Sequence, residues 1–308
     1  MASIMTNAAA LTALQSLNAT NKSLEETQGR ISTGYRVAQA SDNAAYWSIA
    51  TTMRSDNKAN SVVQDALGLG AGKVDTAYTA MNGAIDAVEK IKDKVLLAKT
   101  SSPEDRAKIQ SEIATYQAQL VDSVSGSSYA GANLLQTDSA ATVTKLTVIS
   151  SYNRDSTGKV TTGSIDIAYA NIRLIDTNAT PTGVLDKNGT ASTKSILNID
   201  VTNLTGVTGT SESQQFDNLL TDVEKALGLM ADAAAELGAA KSRIDTQKSF
   251  LSNLSDAIDK GVGQLVDADM NKESTRLQAL QVQQQLGIQA LSIANSNSQS
   301  ILSLFKNG

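Results

Sequence analysis

Residues 216–265 read FDNLLTDVEKALGLMADAAAELGAAKSRIDTQKSFLSNLSDAIDKGVGQL, and the spacing in this stretch decides the fold. Phe216, Val223, Met230, Leu237, Ile244, Leu251, Ile258 and Leu265 fall in unbroken seven-residue register. A stripe that narrow, kept up over so many turns, needs a facing helix. The stretch is therefore read as one long coiled-coil-like helix. Its companion frame begins apolar with Leu220, Leu227 and Ala234, then turns polar at Lys241, Lys248 and Ser255. Gly238 and Gly261 are the only serious candidates for the breaks that a series of shorter core helices would need.

A matching frame lies upstream. Met53, Leu67, Val74, Met81, Val88 and Val95 keep the same step, interrupted only by Asn60. Ser41 or Asp42 offers an N-cap, and the pattern predicts a helix running toward Lys99. The two stripes are expected to seal each other within one chain, Val74, Met81, Val88 and Val95 against the frame from Phe216 to Leu265. Ser102-Pro103-Glu104-Asp105 then supplies a cap, a proline at the first helical position and acids in the first turn. The helix it opens carries Ile109, Ile113, Tyr116, Leu120 and Val124.

The two ends are helical as well, and chemically unusual. Leu11, Leu14, Leu17, Leu24 and Ile31 share one helical face before a break at Gly34. Leu277, Leu280, Leu286, Leu291, Ile301, Leu302 and Phe305 are their counterparts at the other end. No charged side chain occurs from Met1 to Asn21, nor from Leu277 to Phe305. The first stretch lacks the basic start and unbroken apolar run of a signal peptide. The second carries too many amides, Gln278, Gln281, Gln283, Gln284, Gln285 and Gln289 among them, to sit in lipid. Surface helices of a monomeric bundle carry charge on their outer faces. These do not. Amides can pair inside a crowded interface, where an ion would be costly to bury. Both ends are therefore read as surfaces for self-association.

Between about Thr137 and Ser213 the composition shifts to Thr, Ser, Gly and Asn, and the period shortens to two. Residues 142–149, 164–169 and 195–201 read as strands, with turns at Ser156-Thr157-Gly158 and Asn188-Gly189. The expected fold is mainly α: long coiled-coil-like helices from both chain ends, with a small β-rich insert in the middle. The expected division is an inner terminal-helix domain (1–42 and 266–308), a helical rod (43–137 and 214–265) and an outer variable domain (138–213). The insert is expected to be dispensable for polymerisation, because the heptads give way to Thr/Ser-rich alternation and both its junctions are turn-like.

Composition excludes most chemistry. The 308 residues include no cysteine and no histidine, which removes thiol nucleophiles, Cys/His zinc sites and every Ser-His arrangement. A net charge of −5 argues against a nucleic-acid binder. Ser55-Asp56-Asn57-Lys58 and Ser41-Asp42-Asn43 mimic β-lactamase motifs, but in reversed order and without K-T-G. Gly68-Leu69-Gly70-Ala71-Gly72-Lys73 lies within a helical pattern and lacks the first P-loop glycine, so close helix packing or a hinge explains it better. Glu25/Glu26, Glu104/Asp105 and Asp267/Asp269 read as solvated pairs. Asp186-Lys187-Asn188-Gly189 lacks the acid spacing of a calcium loop. No cofactor, metal or catalytic site is expected.

Together these residues resemble the bacterial flagellins. Ile31-Ser32-Thr33-Gly34-Tyr35-Arg36-Val37 with Ala40-Ser41-Asp42-Asn43-Ala44-Ala45 is similar to that family's L-S-S-G-x-R-I…A-x-D-D-A-A. Ile109-Gln110-Ser111-Glu112-Ile113 resembles I-Q-x-E-I, and Gly131-Ala132-Asn133-Leu134-Leu135 resembles N-G-x-x-L-L. Leu237-Gly238-Ala239 with Ser242-Arg243-Ile244 is similar to L-G-A-x-x-x-R-L. Asp267-Ala268-Asp269, Glu273 and the run from Gln281 to Asn295 resemble the family's C-terminal tail. Tyr46-Trp47 and Ser298 depart from many members in the manner of the rhizobial, alphaproteobacterial type. Lys90 and Lys94 stand where enterobacterial members present an arginine and a leucine to an innate immune receptor, so that recognition is not carried over.

The resemblance implies a structural subunit of the flagellar filament, the helical propeller of swimming bacteria. It would be exported without a cleaved signal peptide and polymerise with itself, alone or with related flagellins. Cap, hook-junction proteins and an export chaperone are implied as partners, with no nucleic acid and no membrane insertion. A hook–filament junction protein is the alternative reading. A flagellin carrying a zinc protease would need H-E-x-x-H, which a chain without histidine cannot supply.

Overall fold

The computed structural model describes residues 7–155 and 157–306, with side chains described through Asn297. Helix α1 (Ala8–Thr33) starts at Asn7, whose side-chain oxygen accepts the Ala10 N–H, and ends at Gly34 with a left-handed φ of 75°. Helix α2 (Ala44–Thr100) begins later than the sequence predicts. Neither Ser41 nor Asp42 caps it; Asn43 does, accepting the Tyr46 N–H at 3.1 Å. The Asp42 carboxylate is already taken by the N–H groups of Ala38 and Gln39, which it holds in the preceding turn. Helix α3 (Pro103–Gly126) opens at Ser102 as expected, with the Ser102 hydroxyl accepting from Asp105 N.

The central insert holds little sheet. Strands β1 (Ser128–Tyr129) and β2 (Ala132–Asn133) form a minimal hairpin, and β3 (Gln136–Thr137) lies beside a later strand. Strands β4 (Lys145–Arg154) and β5 (Val160–Ala168) pair antiparallel, with Leu146 opposite Ile167 and Val148 opposite Ile165. This hairpin runs further into its turn than the predicted segments, and Tyr169 begins the short helix α4 (Tyr169–Ile172) instead of ending a strand. Strand β6 (Ile175–Asp176) is the parallel partner of β3.

The strand expected over 195–201 does not form. Its place is taken by a 3₁₀ turn at Ile196–Asn198, followed by extended chain. Side chains from α3 satisfy the backbone there. Gln117 donates to the carbonyls of Ile196 and Ile199, and Gln110 donates to Ile199 O while accepting from Val201 N. The alternating Ile and Val thus bury their side chains without a neighbouring strand. Helix α5 (Glu212–Val266) then runs unbroken through Gly238 and Gly261, and α6 (Met270–Lys306) follows.

The chain divides into two compact units, one of residues through Asn57 with those from Asp256 onward, the other Lys58–Ser255. In the second unit one apolar cluster joins α2, α3 and α5 to the insert, which contributes Leu146, Val148, Ile165, Ile167, Ile172, Leu174, Leu185 and Ile199. The insert is therefore built onto the helical core. The glycine run in α2 explains part of the fit. A Cβ on Gly70 would come within 2.6 Å of Val148, and one on Gly72 within 2.7 Å of the Tyr129 ring. Gly70 thus lets β4 of the insert approach the helix, and Gly72 does the same for the β1–β2 hairpin before it; Gly68, with nothing near it, does not take part.

Candidate assembly surfaces

The heptad residues occupy two settings. In the Lys58–Ser255 unit, Val74, Met81, Val88 and Val95 are fully buried with Phe216, Val223, Met230, Leu237, Ile244 and Leu251 in the same cluster. Polar partners flank them in constant antiparallel register. Lys92 reaches Glu224 at 3.1 Å, Lys99 pairs with Asp217 seven residues on, and Lys241 meets Asp75. Pairing with Glu224 raises the Lys92 ammonium above its ordinary pKa, and Asp75 does the same for Lys241. Lys94 is tied to Glu112, and Lys90 lies over the Tyr116 ring.

The companion frame on α5 packs at the edge of this seam. Leu220, Leu227 and Ala234 are only half-buried, and the sealed positions are Leu219, Ala226, Ala233 and Ala240. Their partners on α2 are Val63, Ala77, Ala84, Ile91 and Ala98, in step with Gly70. Most of the residues in these two frames are small. They carry no signal in sequence, because alanine is also the best helix former and suits an exposed position equally. The frame also ends earlier than predicted. Ile258 and Leu265 are half-buried in a separate cluster of the other unit, with Val37, Ala50, Val262 and Val266. A straight helix drifts about 20° per heptad from a strict seven-residue repeat, so the inward face has moved to Val262 and Val266.

The terminal pair is built differently. Helices α1 and α6 run antiparallel in close contact. Asn7 donates to Ala294 O, Gln284 donates to Asn21, and Arg30 faces Glu273 at 3.4 Å. The turns between helices are stitched together: Arg36 and Val37 donate to Val266 O, and Ala268 donates to Gly34 O. Yet the buried residues of α1 are Thr20 and Thr27, not its leucines. Leu17, Leu24 and Ile31 are half-buried, and so are Leu277, Leu280 and Leu291. Leu11 is 57% exposed, Leu14 47% and Leu286 59%. Val282, Ile288 and Ile293, which the sequence reading passed over, are equally open. The side chains of Ile301, Leu302 and Phe305 lie outside the described residues.

This pair thus offers solvent a continuous supply of apolar side chains interleaved with exposed amides such as Gln281, Gln283, Gln285 and Gln289. Monomeric proteins rarely expose apolar surface on that scale unless it meets a partner. Among the described residues, no group of three or more His, Cys, Asp or Glu is placed to hold a metal, and no helix is long and apolar enough to cross a membrane.

Comparison with known proteins agrees with this arrangement. The bacterial flagellin N-terminal helical region matches residues 4–140, and the flagellin C-terminal helical region matches residues 220–305. A flagellin of Brucella melitensis is 53% identical over 99% of this chain and its own full length. Flagellin C of Rhizobium meliloti is 47% identical, again over 99% of this chain and its own full length. A solved structure described as a flagellar hook-associated protein of Vibrio parahaemolyticus covers 73% of this chain and all of its own, with a TM-score of 0.51 at 14% identity; it shares the fold. The chain belongs to the bacterial flagellin family and is a structural subunit of the flagellar filament.

Proposed function

We propose that the subunit is held in the filament chiefly by its terminal helices, and that the rest of the chain is a prefolded body carried by them. Leu11, Leu14, Leu17, Leu24 and Ile31 of α1, with Leu277, Leu280, Leu286, Leu291, Ile301, Leu302 and Phe305 of α6, meet the corresponding helices of neighbouring copies. The seam of Val74, Met81, Val88 and Val95 with Phe216, Val223, Met230, Leu237, Ile244 and Leu251 works within one subunit. Residues 1–42 and 266–308 then line the inside of the polymer, 43–137 and 214–265 surround them, and 138–213 face outward. The observation that carries this reading is the contrast between sealed heptads in one helix pair and open leucines in the other.

In this reading the protein acts by assembling and turns over no substrate. It leaves the cell as an unfolded chain without a cleaved signal peptide, delivered by an export chaperone and seated beneath a cap onto hook-junction proteins. A chain with no cysteine suits that route, having no disulfide to form too early. The direct test is seeded polymerisation of purified Leu11→Ser/Leu14→Ser subunit. Loss of growth with an unchanged melting curve supports the reading; normal growth rates overturn it.

A further inference from the structure

Asn188 occupies the rim of a concavity of about 440 Å³ between the insert and α5, together with Lys187, Lys194, Lys225 and Asp222. It is followed by Gly189. A Cβ at Gly189 would lie 2.1 Å from Oδ2 of Asp222, so no other residue fits there. Asp222 is itself fixed, accepting the N–H groups of Ala191 and Ser192. Packing against α5 therefore forces a glycine to follow Asn188 in an exposed loop, where the nitrogen after the asparagine is least hindered. The other Asn-Gly pair among the described residues, Asn82-Gly83, lies inside α2. There a helical ψ near −42° holds the following nitrogen away from the side chain.

We propose that Asn188 is a site of spontaneous, enzyme-free modification, converting to aspartate and isoaspartate in the folded protein. The backbone nitrogen of Gly189 loses its proton and attacks Cγ of Asn188. The new C–N bond closes a five-membered succinimide, the bond to the side-chain nitrogen breaks, and that nitrogen leaves as ammonia with the proton. Water then opens the ring on either side. Among the described residues, no hydrogen bond to the Asn188 side chain holds its amide back. Lys187, Lys194 and Lys225 share the concavity with Asp222, Asp232 and Glu236, and the lysines supply positive charge near a reaction that develops negative charge on nitrogen and oxygen. The restraint is the hydrogen bond from Gly189 N–H to Lys194 O, at 2.9 Å, so the reaction waits on local opening of the loop. Its product adds a carboxylate among the three lysines, and the isoaspartyl form lengthens the backbone just before the Ala191–Ser192 anchor.

Tryptic peptides make the test internal. Residues 188–194 and 74–90 each carry a single amide, Asn188 and Asn82 respectively. Full-length protein is aged at mildly alkaline pH, folded and in urea, and the amide-to-acid mass gain is followed in both peptides. In the folded protein Asn188 should convert at least roughly tenfold faster than Asn82, and in urea the two should converge, since only local structure separates them. Asn188→Gln, which cannot close the five-membered ring, should leave peptide 188–194 unchanged while Asn82 behaves as before. Equal rates in the folded state, or an intact Asn188 where Asn82 converts, would overturn the proposal.

Discussion

In the pair α2–α5 the heptad side chains are closed off from water, from Val74 to Val95 on one helix and from Phe216 to Leu251 on the other. In the pair α1–α6 the spacing is just as helical, but Leu11, Leu14, Leu286 and Ile293 face solvent and threonines take the buried places. Burial of apolar area, not helical pattern, stabilises a helix in a folded chain. The first pair has its complement within the subunit, through α3 and the insert. The second must find it elsewhere, and the absence of charged side chains from Leu277 to Phe305 leaves nothing to oppose another protein surface.

The comparison breaks most directly at the ends. Deleting residues 287–308 should abolish polymerisation while circular dichroism still reports a folded, helical middle. Amide exchange gives the finer reading. Residues 8–33 should exchange readily in the dilute monomer and slowly in filaments, whereas α5 from Phe216 to Leu251 should be protected in both. Strong protection of α1 in the dilute monomer would mean that the terminal pair is stable alone.

The same charge placed in each pair should then act on different properties. Ile244 is fully buried, so Ile244→Asp should lower monomer stability by about 3–5 kcal/mol, read from chemical denaturation. Leu14→Asp should leave that stability unchanged and stop assembly. If both variants lowered the melting temperature alike, the two pairs would not differ in kind.

How far these regions are legible in sequence follows from their chemistry. The large heptad residues, the cap at Ser102 and the uncharged ends are all visible as letters, whereas the cap of α2 falls on Asn43 instead of Ser41 or Asp42 because Asp42 is bonded to Ala38 and Gln39. The alanine frame of Ala77, Ala84, Ala226, Ala233 and Ala240 was not legible, because a small residue looks alike whether buried or exposed. Nor was the docking of the insert. Ser195 to Val201 alternates like a strand, and only the distant amides Gln110 and Gln117 make an irregular path favourable. Long-range polar partners of that kind leave no local pattern.

Asp222 probes the insert's side of the sealed unit. Burial pushes its pKa up, but the Ser192 N–H and hydroxyl, the Ala191 N–H and Lys225 outweigh this and hold it below the ordinary value. A carboxyl with a depressed folded pKa stabilises the fold above its unfolded pKa of about 3.9, and that contribution is lost as pH falls through the lower folded value. Asp222→Ala should leave the N–H groups of Ala191 and Ser192 unpaired and cost about 1–3 kcal/mol at neutral pH. The difference from wild type should shrink in acid titrations below the usual carboxylate range. A pH-independent difference would mean that the side chain acts by shape alone.

The smallest effect uses one substitution in both regions. Gly29 sits within α1 with no atom near the position of a Cβ, whereas Gly70 sits within α2 with Val148 at 2.6 Å from it. A helix interior prefers alanine to glycine by about 0.5–1 kcal/mol through backbone entropy alone. At Gly29 nothing opposes that preference, so Gly29→Ala should modestly increase the helicity of the dilute monomer. At Gly70 the added methyl must displace a valine held in register by β4 and β5, and overpacking of that kind costs about 1–3 kcal/mol. Gly70→Ala should therefore lower the denaturation midpoint despite the better helix propensity. The signs carry the comparison: propensity decides where a helix lies open, and packing decides where it is sealed. A gain at both positions would show that β4 and β5 yield to α2, and that the insert is less firmly part of the core than its buried residues imply.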